Sequence, residues 1–158
     1  YNKCIDDSLE ILKNSAYYKL CSEEDKVIVC HHDLAHHNIL IKDDDAYFID
    51  FDYAVIDLKV HDLCNFINKV IKNSAFDINK LEEILLNYGI FNTLDLRELE
   101  VLYGMLTFPE DFYNISYDYY TRRKNWEEEI FLDKLKRKVE FEEDRQDFLK
   151  KFIDKILK

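Results

Sequence analysis

The sequence predicts a mainly α-helical domain that contains one small β-hairpin. Its 158 residues include only two Gly and one Pro, far below the average usage of about 7 % and 5 %, and turn-rich β architectures need both residue types. Apolar residues recur at steps of three and four along most of the chain, as they do on one face of a helix. Two short β-type runs flank an acidic turn within residues 39–49 and predict the hairpin.

The elements of the N-terminal half follow from these patterns. A helix is predicted within residues 4–20, and its apolar face is formed by Ile5, Leu9, Leu12, Ala16 and Leu20. Residues 27–30 are a short apolar run of strand type. The hairpin strands are expected at 39–41 and 46–49, around a turn at 42–45. We expect the acidic turn to be a solvated tip, the alternative being a calcium site.

Everything after the hairpin is predicted to be helical. The helix from 61 to 73 carries its apolar residues on one face. Asp77 is expected to cap a helix that Gly89 ends at the C′ position. Asp95 and Glu98 resemble a capping box at the start of the next helix.

The C-terminal third combines an aromatic helix with an amphipathic tail. Pro109 is expected to start a helix from 110 to about 121. Its aromatic neighbourhood is predicted to pack in the core, the alternative being a cage for a choline-like cation: Phe108, Phe112, Tyr113, Tyr117, Tyr119 and Tyr120. The apolar spacing over residues 125–158 predicts one or two amphipathic helices. We expect them to pack on the domain, the alternative being that they bind a partner. No linker interrupts the patterns, so residues 1–158 are predicted to form a single domain.

Net charge, the length of apolar runs and the cysteine spacing argue against several classes of protein. The 22 Lys and Arg face 33 Asp and Glu, a formal net charge of −11, which argues against nucleic-acid partners because these need a basic face. No apolar run approaches the roughly 20 residues of a membrane span, so no membrane partner is expected. The spacing of Cys4, Cys21, Cys30 and Cys64 matches no zinc or redox pattern. Free buried thiols are predicted, although the spacing leaves disulfides open.

The polar residues that carry chemistry lie between residues 30 and 62. Asp33 and Asn38 stand in the loop before the first hairpin strand, and Asp50 follows the second strand. Because a tight hairpin brings its two ends together, we expect these three side chains to converge. Their oxygens are hard ligands that suit Mg²⁺. A magnesium site beside a carboxylate that orients a hydroxyl group suits phosphoryl transfer.

Three motifs make a family resemblance specific. The pattern His31-x-Asp33-x-x-x-x-Asn38 resembles the HxDxxxxN signature of the aminoglycoside phosphotransferase and choline kinase superfamily. Residues 49–52, Ile-Asp-Phe-Asp, resemble that superfamily's counterpart of the DFG motif. Asp62, followed by Leu, resembles its later Asp-Leu element.

Longer stretches resemble one branch of that superfamily, the spore coat protein S family of endospore-forming bacteria. They are His-x-Asp-Leu-Ala-x-x-Asn-Ile-Leu-Ile at 31–41, Ile-Asp-Phe-Asp-Tyr-Ala at 49–54, and the segments 119–126 and 142–149. The resemblance covers most of the chain and implies the C-terminal lobe of the protein-kinase-like, or aminoglycoside phosphotransferase, fold. By the same resemblance, we expect the N-terminal lobe, which clamps the nucleotide, to be absent from this chain.

The resemblance implies roles for the polar residues. Asp33 would be the catalytic base, and Asn38 and Asp50 would bind Mg²⁺ together with ATP. Asp52 would assist at the metal or the substrate.

Two further residues would support the catalytic loop. By the resemblance, His31 is a structural member of that loop and Asp62 holds it from outside. The alternative for Asp62 is a plain residue of a helix N-terminus, which the helix dipole favours.

The histidines of the same segment leave a zinc site as an alternative. His31, His32, His36 and His37 lie within seven residues, and Cys30 is adjacent. A zinc site needs three or four converging ligands, whereas consecutive side chains rarely point the same way. The resemblance accounts for His31 without a metal and leaves the other three as variable loop positions.

The implied function is ATP- and Mg²⁺-dependent phosphoryl transfer to a hydroxyl group of a small molecule. The implied locations are the cytoplasm of the bacterial mother cell and the spore coat, with a nucleotide, an acceptor and other coat proteins as partners. Because the chain opens with Tyr1, we expect a piece of a longer protein. Since the lobe that clamps the nucleotide is missing from this piece, we expect the piece alone to be inactive. The alternative is a structural coat component that keeps the fold with weak or no catalysis.

Overall fold

The computed structural model describes all 158 residues and contains eight α-helices and four short strands. The helices are α1 (Asn2–Asn14), α2 (Tyr17–Leu20), α3 (Lys59–Ile71), α4 (Ile78–Gly89), α5 (Leu96–Thr107), α6 (Glu110–Thr121), α7 (Glu128–Glu140) and α8 (Glu142–Phe152). The strands are β1 (Val27–Cys30), β2 (Ile39–Lys42), β3 (Asp45–Phe48) and β4 (Val55–Leu58). Short 3₁₀ helices span His36–Asn38 and Lys72–Ser74, and Ile153–Leu157 is π-helical. The predicted fold class, mainly α with a small hairpin, is confirmed.

The hairpin is formed by β2 and β3. Ile39 pairs with Phe48, and Lys42 pairs with Asp45, so only Asp43 and Asp44 remain in the turn. Their φ angles of 51° and 67° are those of a type I′ turn, whose twist matches that of the strands. Aspartate tolerates this left-handed backbone better than most residues, and the acidic tip is exposed.

The prediction that only helices follow the hairpin is wrong at Val55–Leu58. This segment is β4, which pairs antiparallel with β1 from Val27 opposite Leu58 to Cys30 opposite Val55. A four-residue apolar run carries no period long enough to distinguish strand from helix, and its partner lies more than twenty residues away. The pairing places the end of β1 beside the start of α3, and this arrangement positions the loop between β1 and β2.

The main core lies between α3, α4, α5 and α8. Its buried side chains are Leu63, Cys64, Ile67, Ile71, Ile78, Leu81, Leu102, Leu106, Phe148, Leu149 and Phe152. A smaller cluster of Leu20, Leu58, Val60 and Val101 lies beneath β1 and β4. Helix α1 approaches α5 closely at Gly104, where a Cβ atom would lie 2.9 Å from Leu12 Cδ2. Glycine therefore sets the separation of these two helices.

The helix starts predicted at Asp77, Asp95 and Pro109 are confirmed, whereas the C′ position predicted for Gly89 is wrong. Asp77 accepts a hydrogen bond from Asn79 N at 2.9 Å, Asp95 and Glu98 form the capping box of α5, and α6 begins directly after Pro109. Gly89 is the last residue of α4 and does not have a positive φ.

The apolar stripe of residues 4–20 is divided between α1 and α2. The first helix ends at Asn14, and Ser15 has an extended backbone. The Ser15 hydroxyl donates to Leu12 O and accepts from Tyr17 N, so this serine both closes α1 and starts α2.

The prediction that the aromatic side chains of α6 belong to the core is wrong. No residue of α6 is fully buried, and its tyrosines are 39 % to 83 % exposed: Tyr113, Tyr117, Tyr119 and Tyr120. The helix packs mainly against α7, where the ring of Tyr119 meets Phe131 edge-on at 5.2 Å. Aromatic spacing alone does not distinguish a core face from rings that pack on one another.

The tail, for which one or two helices were predicted, forms two, α7 and α8. Helix α8 packs on the domain and buries Phe148, Leu149 and Phe152 in the main core. All four cysteines are free thiols, as predicted. The predicted burial is confirmed for Cys30 and Cys64 but is wrong for Cys21, which is exposed, and Cys4 is only partly buried. None of the helices combines the length and the apolar character needed to cross a bilayer.

A buried ionic cluster joins α5, the first residue of α3 and the residue before β1. Glu98 of α5 is 1 % exposed, and its Oε2 accepts a hydrogen bond from Lys26 Nζ at 2.7 Å. Its Oε1 lies 3.1 Å from Nζ of Lys59, the first residue of α3. Lys26 also lies 3.2 Å from Asp95 Oδ2. The cluster fixes the approach of β1 and the start of α3 against α5.

Candidate functional site

The loop between β1 and β2 is held by the carboxylate of Asp62, in the first turn of α3. Asp62 Oδ2 accepts a hydrogen bond from His31 N at 2.5 Å, and Oδ1 accepts one from His32 N at 2.7 Å. The two interpretations of Asp62 therefore do not exclude each other. It is a residue of a helix N-terminus, and its carboxylate also holds the loop.

His31 connects the loop to the far end of the hairpin. Its side chain is buried, with Nε2 2.8 Å from Ile49 O and Nδ1 3.3 Å from Asp33 N. Because the Asp33 amide donates to Nδ1, Nε2 carries the proton and donates to Ile49 O. The ring also packs on Phe51, with centroids 4.6 Å apart. His31 thus fixes the residues on both sides of Asp50.

Asp33 and Asn38 are joined directly. Asn38 is 3 % exposed, and its Nδ2 donates at 3.0 Å both to Asp33 O and to Asp33 Oδ2. The amide nitrogen therefore points to Asp33, and the amide oxygen makes no hydrogen bond within the chain. A side-chain carbonyl oxygen in this state suits a hard cation such as Mg²⁺.

Asp50 lies at the other end of the hairpin, as the sequence predicts. Ile49 N donates to Asn38 O at 3.0 Å, so the residue that precedes Asp50 is hydrogen-bonded to Asn38. Its φ of 64° is uncommon for a non-glycine residue and marks a position held by its surroundings. The Asp50 carboxylate is exposed and forms no ion pair or hydrogen bond within the chain.

The Asp52 side chain, like that of Asp50, makes no hydrogen bond or ion pair with the other predicted residues. It is exposed and lies in the turn closed by the hydrogen bond from Ala54 N to Phe51 O, at 2.9 Å. None of the polar groups of the loop contacts its side chain. His31, Asp33, Asn38 and Asp62, in contrast, form one hydrogen-bonded group.

Lys69 is a member of the site that the sequence reasoning missed. Its Nζ donates to Asp33 Oδ1 at 2.5 Å, and both side chains are about one-third exposed. This hydrogen bond holds the pKa of the Asp33 carboxyl below its usual value, and that from Asn38 acts in the same direction against the effect of burial. The available signal was helical spacing, since Lys69 lies seven residues after Asp62 and therefore on the same face of α3.

Replacing Lys69 with methionine is expected to raise the pKa of the Asp33 carboxyl, because the cation that stabilises the carboxylate is removed. NMR titration of that carboxyl in protein without metal or nucleotide measures the shift. Lys72→Met is the matched control, since Lys72 lies on the same chain segment but pairs with Asp111. An Asp33 pKa that does not change in Lys69→Met contradicts the assignment of the ion pair.

Replacing Asp62 with alanine is expected to lower the free energy of unfolding by about 2–4 kcal/mol, because two partly buried amides lose a charged acceptor. Denaturant unfolding measures the loss. Asp62→Asn keeps one carbonyl oxygen and is expected to lose about half as much. A loss below about 0.5 kcal/mol in Asp62→Ala would mean that water replaces the carboxylate and that the loop does not depend on it.

Comparisons with known proteins identify the family and the fold of the chain. The model of the family described as "Spore coat putative kinase YutH" matches residues 6–152. The crystal structure of an aminoglycoside phosphotransferase from Alicyclobacillus acidocaldarius shares the fold with a TM-score of 0.85 and 19 % identity, over 97 % of this chain and 46 % of that chain. The chain therefore spans about half the length of that protein. No curated protein matches.

The structural match and the family match are two independent findings on fold and family. The structural likeness confirms the aminoglycoside phosphotransferase fold that the loop motifs predict. The family match extends over nearly the whole chain and includes every residue of the candidate site. On that ground the chain belongs to the spore coat family of kinase-like proteins.

Proposed function

We propose that Asn38 and Asp50 bind Mg²⁺ with ATP and that Asp33 directs phosphoryl transfer to a hydroxyl group of a small molecule. The observation that carries the proposal is the orientation of Asn38, whose amide nitrogen is bound to Asp33 while its oxygen is left for a cation. The kinase-like fold supports nucleotide use in general. The acceptor is proposed only as a class, a hydroxyl-bearing small molecule.

The residues of the chain divide the work of this reaction. Mg²⁺ would supply neutralisation of the phosphate charge. Asp33 would orient the acceptor hydroxyl and accept its proton, and Lys69 keeps that carboxyl ionised. His31 and Asp62 hold the loop in place. Asp52, two residues after Asp50, would assist at the metal or the substrate.

In this proposal residues 1–158 act as the C-terminal lobe of a two-lobed protein. The phosphotransferase that shares the fold is about twice as long as the matched part, which supports a second lobe that clamps the nucleotide. The protein would work in the mother cell and in the spore coat, where other coat proteins would be its neighbours.

A structural coat component is the second candidate, and one observation favours it. Both carboxylate oxygens of Asp33 are already engaged within the chain, Oδ1 by Lys69 and Oδ2 by Asn38. A carboxylate that serves only to hold a loop would look the same. In a working site, the acceptor hydroxyl has to share or displace one of these contacts.

Release of ADP by the natural full-length protein distinguishes the two candidates. Mg²⁺–ATP is supplied with a panel of hydroxyl-bearing acceptors that includes aminoglycosides, choline and sugars. We expect ADP release that depends on one class of acceptor and stops when Mg²⁺ is chelated. The absence of acceptor-dependent release across the panel would favour the structural candidate.

A further inference from the structure

A second group of ligand-type side chains lies beside the loop, separate from Asn38 and Asp50. His32 comes from the loop, Asp57 from β4 and His61 from the first turn of α3. One atom from each side chain lies within 4.8 Å of the other two, and all three residues are partly buried. These residues come together only through the pairing of β1 with β4.

Two distances within this group match the ligand separations of a tetrahedral metal site. Asp57 Oδ2 lies 3.3 Å from His32 Nε2 and 3.4 Å from His61 Nδ1. Zinc bonds to imidazole nitrogen and carboxylate oxygen are about 2.0–2.2 Å long, so two ligands of one tetrahedral ion are about 3.4 Å apart. Both measured separations therefore match the edges of such a tetrahedron.

Hydrogen bonding inside the protein does not account for the group. His32 Nε2 is buried and has no hydrogen-bond partner, although it lies close to Asp57. Buried polar atoms almost always have a partner, so an orphan nitrogen calls for an explanation. Asp57 Oδ1 is already occupied by Leu58 N at 2.7 Å, which leaves Oδ2 facing the two imidazoles.

We propose that His32, Asp57 and His61 bind a divalent transition-metal ion such as Zn²⁺. Two imidazole nitrogens and one carboxylate suit zinc, whereas Mg²⁺ prefers oxygen ligands. Three protein ligands leave the fourth position to water. An ion here ties the loop, one residue before Asp33, to β4 and to α3, so it acts by positioning the loop.

This site differs from the zinc alternative that the histidine-rich loop suggests by itself. His31 contacts Ile49 O, and His36 and His37 are exposed. Cys30 Sγ donates to Leu58 O at 3.4 Å. Only His32 of that set belongs to the group.

Metal titration of the full-length protein tests the proposal. Zn²⁺ is titrated against a competing chelator, and Co²⁺ is added separately to read its tetrahedral absorption bands. We expect one equivalent of Zn²⁺ and an affinity at least tenfold lower in Asp57→Asn and His61→Gln. Asp57→Asn keeps an oxygen for Leu58 N and so preserves the strand end. The matched control, His36→Ala with His37→Ala, is expected to bind as the native protein does.

Three results would overturn the proposal. The first is native protein that takes up no Zn²⁺ and gives no tetrahedral Co²⁺ spectrum. The second is equal affinity for Zn²⁺ in native protein and Asp57→Asn. The third is loss of Zn²⁺ affinity in the control alone. The outcome is independent of the proposed kinase function, because Asp50→Asn is expected to leave Zn²⁺ binding unchanged while it removes Mg²⁺–ATP binding.

Discussion

Replacing Glu98 with alanine is expected to lower the free energy of unfolding by about 3–5 kcal/mol. Glu98 is buried, and its two oxygens face the ammonium groups of Lys26 and Lys59. Both lysine side chains are about one-tenth exposed, so alanine would leave two poorly solvated cations around one missing anion. The capping-box hydrogen bond from Asp95 N is lost as well.

Denaturant unfolding of three variants separates these contributions. Glu98→Gln keeps an oxygen for the capping box but removes the charge, so an intermediate loss is expected. Glu100→Ala is the matched control, because Glu100 is exposed on the same helix and should change stability by less than about 0.5 kcal/mol. A loss under 1 kcal/mol in Glu98→Ala would show that the two lysines find other partners or water.

Replacing Asp33 with asparagine is expected to slow phosphoryl transfer by about 10²–10⁴-fold, the usual contribution of a positioned acid or base. The variant keeps the size of the side chain but has no carboxylate to accept the hydroxyl proton. Folding should be little affected, since the contact between Asp33 and Lys69 is partly exposed and such pairs contribute little to stability.

The rate is measured as acceptor-dependent ADP release at saturating Mg²⁺–ATP. Asp45→Asn is the control, because Asp45 is exposed beside the hairpin turn and should leave the rate unchanged. An Asp33→Asn rate equal to that of the native protein would remove Asp33 from the proposed mechanism. The proposed metal ligands would be unaffected by that result.

Local signals were enough to predict the hairpin and the loop that precedes it. Each of the two strands is a short β-type run next to the acidic turn, and the residues at both ends of the hairpin follow from its register. For this reason the backbone contact between Asn38 and Ile49, next to Asp50, could be predicted without any long-range information. The helix caps at Asp77 and Asp95 were predictable for the same reason, since a cap involves residues only two or three positions apart.

Contacts between distant segments were not predictable from such patterns. The pairing of β4 with β1 and the contact of Lys69 with Asp33 both join residues about thirty positions apart. The group of His32, Asp57 and His61 depends on that same strand pairing. The prediction that the aromatic residues of α6 lie in the core was wrong for another reason. Their pattern shows an apolar face but not which surface covers that face.

Binding of Mg²⁺–ATP at Asn38 and Asp50 is the step on which the proposed function depends. Calorimetric titration of Mg²⁺–ATP into the natural full-length protein, with Asp50→Asn measured beside it, tests that step without knowledge of the acceptor. We predict a single binding event in the native protein that disappears in the variant. No binding to the folded native protein, or equal binding to both proteins, would contradict the magnesium site and leave a coat protein that keeps the fold of a kinase without its chemistry.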